Sequence, residues 1–187
     1  MRNRPHLLVP EVDIRWSVPA RADALLVGDR LCGFEIKSDV DSLCRLSRQV
    51  QAYEPVVERA YLVVGERHRE RATELIPDWW HIWVATWRGT DVVIRETRRG
   101  RLNPDVNPLA VTTFLTRDQL RTELSRLGER GLSALAVDEL RLMLVGKLGN
   151  AGTLRLARSA LLDRTDWRRK SLAHSDRVVQ LHEAERN

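Results

Sequence analysis

The stretch from Arg21 to Tyr53, RADALLVGDRLCGFEIKSDVDSLCRLSRQVQAY, leaves few folds open to this chain. Two short apolar runs, Ala24 to Val27 and Leu31 to Ile36, flank Gly28-Asp29-Arg30 and read as a hairpin of β-strands. A helix follows. Charged residues stand inside both runs: Asp23 opens the first, and Glu35 and Lys37 interrupt the second. Half-buried strands seldom tolerate such side chains unless they are paired or hold a metal. Their convergence on neighbouring strands points to a site.

The chemistry that suits this set is metal-assisted phosphodiester hydrolysis. Two carboxylates and a backbone carbonyl are hard oxygen donors of the kind Mg²⁺ accepts, with water completing an octahedron. Glu35 and Lys37 emerge on one face of a strand, because side chains alternate with period two. The lysine is then placed to orient water and offset developing charge. The turn carries a condition. A two-residue loop at Gly28-Asp29 sets Asp23 opposite Phe34, on the wrong face; a three-residue loop through Arg30, or a bulge, sets it opposite Glu35. The longer loop is the expectation.

Ser38 or Asp39 is placed to cap the helix, and Val40, Leu43, Leu46, Val50 and Val57 are its expected buried stripe. Gln49 and Tyr53 lie one turn apart on one face, with Arg45 a turn earlier. Taken singly, Glu35–Lys37 is an ordinary edge-strand ion pair, Asp23 a strand-start residue, and Gln49 and Tyr53 helix-surface residues. The ordered combination carries the reading. Asp23, Glu35-Ile36-Lys37 and Gln49-x-x-x-Tyr53 resemble the PD-(D/E)XK nucleases of restriction-endonuclease-like fold, in their RecB-like branch. Over about residues 10 to 125 the chain is similar to a group of small bacterial proteins of that superfamily, through GFEIKSDVDSLCRLSRQVQAY and IPDWW.

The resemblance implies an α/β fold with a restriction-endonuclease-like αββαβ core and mixed sheet. It implies a Mg²⁺ or Mn²⁺ site at Asp23, Glu35 and the Ile36 carbonyl, with Lys37 assisting the base and Gln49 and Tyr53 positioning ligands or backbone. Ala22 stands where the motif has proline. The branch also places a ligand upstream, which falls to Glu11 or His6; a carboxylate suits a hard metal better.

Downstream, Arg59 to Val64 reads as a buried strand parallel to a hairpin strand, since a crossover helix precedes it. Glu66 to Leu75 reads as a surface helix, and Trp80–Trp87 with Asp91–Glu96 as a hairpin about Arg88-Gly89-Thr90. Trp79, Trp80, Trp83 and Trp87 are either a base-stacking platform or, more simply, the closure of a sheet edge. His81 has no partner in the pattern and reads as structural or exposed. Thr97 to Pro108 is the boundary, an extended surface segment in which Arg98, Arg99 and Arg101 are phosphate-contact candidates or solvated linker residues. The organisation is thus a nuclease-like core over 1–100 and a helical extension over 101–187, packed on the core or gripping DNA or a partner.

In that extension Thr116 or Asp118 starts a helix closed by Gly128, and another runs from Val137 to Leu148 with Gly149-Asn150 as its stop. Thr153–Leu162 and Trp167 to about Glu185 supply two more. Net charge is +5, almost all from arginine, which favours a polyanionic partner. Cys32 and Cys44, the only cysteines, are expected to be buried thiols of a reducing cytoplasm. The five histidines lack zinc spacing, and no apolar run is long enough for a secretory signal or a membrane span. The expected protein is a cytoplasmic, metal-dependent deoxyribonuclease of DNA repair, processing or defence, with DNA as partner and a protein partner or second copy beside it. The rival is a non-catalytic nucleic-acid-binding or protein-interaction subunit that keeps the fold.

Overall fold

The two apolar runs form adjacent antiparallel strands in the computed structural model, which describes residues 5–167 and 169. Strands β2 (Ala20–Val27) and β3 (Leu31–Lys37) pair with Ala24 opposite Phe34 and Val27 opposite Leu31. The loop therefore holds three residues, and a 3.1 Å hydrogen bond from the Gly28 N–H to the Arg30 carbonyl closes it. Extending this register sets Asp23 opposite Glu35.

Upstream, where the resemblance implies a helix, the chain forms strand β1 (Leu7–Ile14), antiparallel to β2. Val9, Val12 and Ile14 are buried while Leu8, Glu11 and Asp13 are exposed. This is a strand alternation that slips by one residue at Glu11, where φ is +48°. Pro10 in the middle of so short a segment also disfavours a helix.

Helix α1 (Leu46–Tyr53) carries the chain over to β4 (Arg59–Gly65), which runs parallel to β3. The helix begins later than a Ser38 or Asp39 cap predicts. The Ser38 N–H and hydroxyl both donate to Asp41 Oδ2 at 2.7 Å, and Asp39 Oδ1 accepts the Arg67 N–H at 3.0 Å. Both caps are thus committed to other contacts, and Val40 is 92% exposed rather than part of the buried stripe. Leu46, Val50 and Tyr53 are buried as the period requires.

A 3-10 turn (Glu66–His68) and α2 (Arg69–Leu75) lead to β5 (His81–Arg88), parallel to β4. Antiparallel β6 (Asp91–Arg98) returns through Gly89-Thr90, with Gly89 at φ +65°. The six strands lie in sequence order in one mixed sheet. The segment after β6 is docked rather than free: the buried Asn103 amide donates to the Glu54 and Val57 carbonyls at 2.6 and 2.8 Å.

Among the described residues, three α-helices of four or more residues follow the sheet. Asn107 caps α3 (Pro108–Val111), with proline in the first turn. A reciprocal Thr116–Gln119 capping box starts α4 (Arg117–Arg126). Helix α5 (Val137–Leu162) is broken at Gly149 (φ 62°, ψ −178°), where the sequence predicts a stop, and resumes beyond it. It packs against α4, α3 and β2, so the helical segment lies on the sheet. The helix predicted from Trp167 to Glu185 falls almost wholly outside the described residues.

The other sheet face carries an aromatic row. Phe34 stacks on Tyr61 with centroids 4.7 Å apart, Tyr61 stacks on His81 at 4.4 Å, and Trp83 leans on Tyr61 at 4.9 Å. The four tryptophans therefore part company: Trp79 and Trp80 are core, Trp83 is half-buried and Trp87 is 76% exposed. No helix among the described residues is long and apolar enough to cross a membrane.

Candidate metal and catalytic site

Strands β2 and β3 stop pairing at Ala24–Phe34. One step further, the Ile36 N–H donates not to a strand carbonyl but to Asp23 Oδ2, at 2.7 Å. The divergence leaves Asp23 half-buried between the strands, and among the described residues its Oδ1 accepts no hydrogen bond. Across from it, Glu35 is fully buried on the face that α1 covers.

Helix α1 and β3 supply Glu35 with partners. Lys37 Nζ and Gln49 Nε2 both donate to its Oε1. The Tyr53 hydroxyl lies 3.1 Å from Oε2 and 2.8 Å from the Phe34 carbonyl. A phenol has one proton, so it donates to one of these acceptors at a time. The one-turn spacing of Gln49 and Tyr53 is what brings both onto the same carboxylate.

Burial pushes the Glu35 carboxyl above the usual glutamate range; the Lys37 ammonium pulls it back, and the Asp23 charge pushes it further up. Burial likewise holds the Tyr53 phenol well above its ordinary value, with the charges of Glu35 and Asp23 acting in the same direction. Lys37 is paired with Glu35, and among the described residues Asp23 has no ion pair. In addition, Gln49 Oε1 is buried with no hydrogen-bond partner among the described residues. Turning the amide over would aim that oxygen at Glu35, which is worse.

The orphaned oxygen, on a side chain that also holds Glu35, is open to a hydrogen-bond donor or a cation. Among the described residues no set of three or more His, Cys, Asp or Glu converges on a metal-sized space. A donor set of two carboxylates, a carbonyl and water still suits Mg²⁺ or Mn²⁺, which keep several waters, and is unlike a zinc cage. Glu11 sits where the β1–β2 register places it opposite Asp23, between the pairs Pro10–Ala24 and Val12–Ala22. It is exposed and left-handed, a conformation that costs a non-glycine residue about 1 kcal/mol or more.

Among the described residues, the side chains of the four other singled-out residues make no hydrogen bond or ion pair to this centre. Arg45 is exposed at the start of α1. Arg98 uses its guanidinium on the carbonyls of Trp80 and Pro77, at 3.1 and 2.8 Å, which makes it a brace for the connection before β5. Arg99 and Arg101 are exposed beyond the end of β6. From β3 to β6 is three strand spacings, about 14 Å. Cys32 is buried and its thiol is pushed up to about 11 by that burial, whereas Cys44 is exposed, correcting the expectation that both are core.

Sequence reasoning passed over Gly33. A Cβ there would stand 2.5 Å from Tyr53 Cε1, so its absence is what seats the phenol over β3. A lone glycine inside an apolar strand is the signal for such a close approach. It also passed over Glu58, buried between β4 and α5, which accepts from Arg30 at 2.8 Å, Arg158 at 2.6 Å and the Leu31 N–H at 2.9 Å.

A family model described as bacteriophage P4 protein cII matches residues 2–161, and the chain belongs to that family. No curated protein and no solved structure gives a significant match.

Proposed function

We propose that this member of the bacteriophage P4 protein cII family is a Mg²⁺- or Mn²⁺-dependent nuclease that hydrolyses DNA phosphodiester bonds. In this reading β2, β3, α1 and β4 are the ββαβ part of a restriction-endonuclease-like core, and β1 takes the place of its leading helix. The observation that carries the proposal is the convergence of Lys37, Gln49 and Tyr53 on Glu35, beside Asp23, with an amide oxygen left over.

Asp23, Glu35 and the Ile36 carbonyl would hold the ion, with Glu11 opposite Asp23 as a further donor. Bound there, the ion supplies Lewis acidity and lowers the pKa of a coordinated water. Lys37, held by Glu35, orients the attacking water and offsets charge on the phosphoryl oxygens. As that water's oxygen bonds to phosphorus, the bond to the leaving oxygen breaks, and the proton lost by the water is passed through solvent to that oxygen, which departs as an alcohol. Gln49 and Tyr53 fix the rotamer of Glu35. Substrate approaches over Asp23 and Gln49, the half-buried members of the set. Processing, repair or defence of DNA are the settings such an activity fits.

Labelled linear, circular and single-stranded DNA, incubated with Mg²⁺, Mn²⁺ or EDTA, tests this. Cutting is expected with metal only, and Lys37→Ala and Asp23→Asn each lose about 100-fold or more while remaining folded. Cutting that survives EDTA or both substitutions would overturn the assignment, as would a wild type inert with every substrate and metal.

A further inference from the structure

The two edges of the sheet are built differently. On the β1 edge, Pro10 removes a donor, Glu11 bends the strand, and Asp13 binds Arg15 and Arg21 at 3.1 Å each. These are devices that keep an edge from pairing. On β6 the charges flank an uninterrupted apolar run, Val92 to Ile94, with no proline and no positive-φ residue in it. The strand runs Asp91-Val-Val-Ile-Arg-Glu-Thr-Arg98, with a register shift only at its far end, near Ile82 and Trp83. Val92, Val93 and Ile94 are 49%, 38% and 54% exposed, and Trp87, paired with Val92, is 76% exposed. An apolar edge of this kind is a template for another strand.

We infer that β6 pairs antiparallel with β6 of a second copy, about a twofold axis at Val93, joining two six-stranded sheets into one. The strand's own sequence argues for a copy over another partner. With Val93 on the axis, each Val92 meets the partner's Ile94, and each Asp91 meets the partner's Arg95. Val92 and Ile94 share the face of Trp87, while Asp91, Val93 and Arg95 share the opposite one. Apolar residues meet apolar ones and opposite charges meet, twice over by symmetry. Neighbouring registers fail: centring between Val93 and Ile94 opposes Asp91 to Glu96, centring on Ile94 opposes Val93 to Arg95, centring between Val92 and Val93 opposes Asp91 to Ile94, and centring on Val92 opposes Asp91 to Val93. Within the chain, the nearest acid to Arg95 is Glu66 at 4.0 Å, a loose contact that leaves the guanidinium available. The interface lies three strands from Glu35, so it stands or falls independently of the nuclease reading.

Light scattering and equilibrium sedimentation of the full chain, over a range of concentrations, test the inference. The wild type is expected to be a reversible dimer. Asp91→Arg, which sets like charges opposite each other twice, raises the dissociation constant about tenfold, and Asp91→Arg with Arg95→Asp restores it. Val93→Lys, with an ammonium on the axis, gives monomer whose circular dichroism spectrum is that of the folded wild type. A wild type monomeric at every concentration overturns the dimer. A dimer indifferent to Asp91→Arg, or a double variant that fails to recover, overturns this interface and register.

Discussion

Glu35 and Glu58 are both glutamates of the sheet region, both buried, and both surrounded by hydrogen-bond donors, yet their surroundings differ in sign. Glu58 meets two guanidinium groups and a backbone N–H, from two separate parts of the chain, Arg30-Leu31 and Arg158. Its charge is more than balanced, and it ties α5 to the hairpin and to β4. Glu35 meets one ammonium, an amide and a phenol, with a second carboxylate facing it and an amide oxygen unanswered. Burial of a charged residue therefore does not by itself mark function. What distinguishes the two is the supply of positive charge: two guanidinium groups face Glu58, whereas one ammonium faces Glu35, whose pKa is raised by burial with the Asp23 charge adding to it.

The sharpest way to break this contrast is to remove Glu58. Glu58→Ala leaves Arg158, only 17% exposed at its side chain, without a counter-charge, and is expected to lower unfolding free energy by about 3–4 kcal/mol in chemical denaturation. A loss under about 1 kcal/mol would mean the cluster is not a structural tie.

Gly33→Ala comes next. Its new methyl has to displace the Tyr53 ring, an overpacking worth about 2 kcal/mol. Because Tyr53 also holds Glu35, cleavage should fall more than the lost stability explains, when measured well below the melting temperature. Equal activity with wild type at that temperature would show the phenol to be packing alone.

Arg98→Ala removes two hydrogen bonds to carbonyls and is expected to cost about 1–2 kcal/mol without changing the salt dependence of DNA binding. Arg101→Ala, on an exposed side chain, should leave stability within about 0.5 kcal/mol. A shallower salt slope in the Arg98 variant would return that residue to the phosphate contacts.

The smallest effect is the pH response of Glu35. Its folded carboxyl is raised, so the folded state holds its proton more tightly than the unfolded one. The resulting stabilisation is complete below the ordinary glutamate pKa and is lost as pH rises through the folded value. Urea unfolding across this range should show that fall in wild type, its absence in Glu35→Gln, and its suppression by Mg²⁺. A wild type whose stability instead rises with pH relative to Glu35→Gln would contradict the sign.

Much of this architecture was legible because short-range rules settle it. The demand that Asp23 meet Glu35 selected the three-residue loop, and the Thr116–Gln119 box and Gly149 marked a helix start and a break. Other features turn on contacts that no local pattern encodes. Asp41 claims Ser38 and Arg67 claims Asp39, so α1 starts at Leu46 and Val40 lies outside it. Glu58 and Arg158 are a hundred residues apart, and neither shows its partner in the sequence. At the site, Gln49 and Tyr53 were visible as a spacing, while the seat at Gly33 and the orphaned Gln49 oxygen needed the fold.

The central claim is that the Glu35 cluster is short of one divalent cation, and Mn²⁺ binding tests it most directly. Titration followed by the electron paramagnetic resonance of free Mn²⁺ should show a single saturable site in wild type, competed by Mg²⁺ and absent in Asp23→Asn and Glu35→Gln. No saturable site, or one that persists undiminished in Asp23→Asn, would contradict the account.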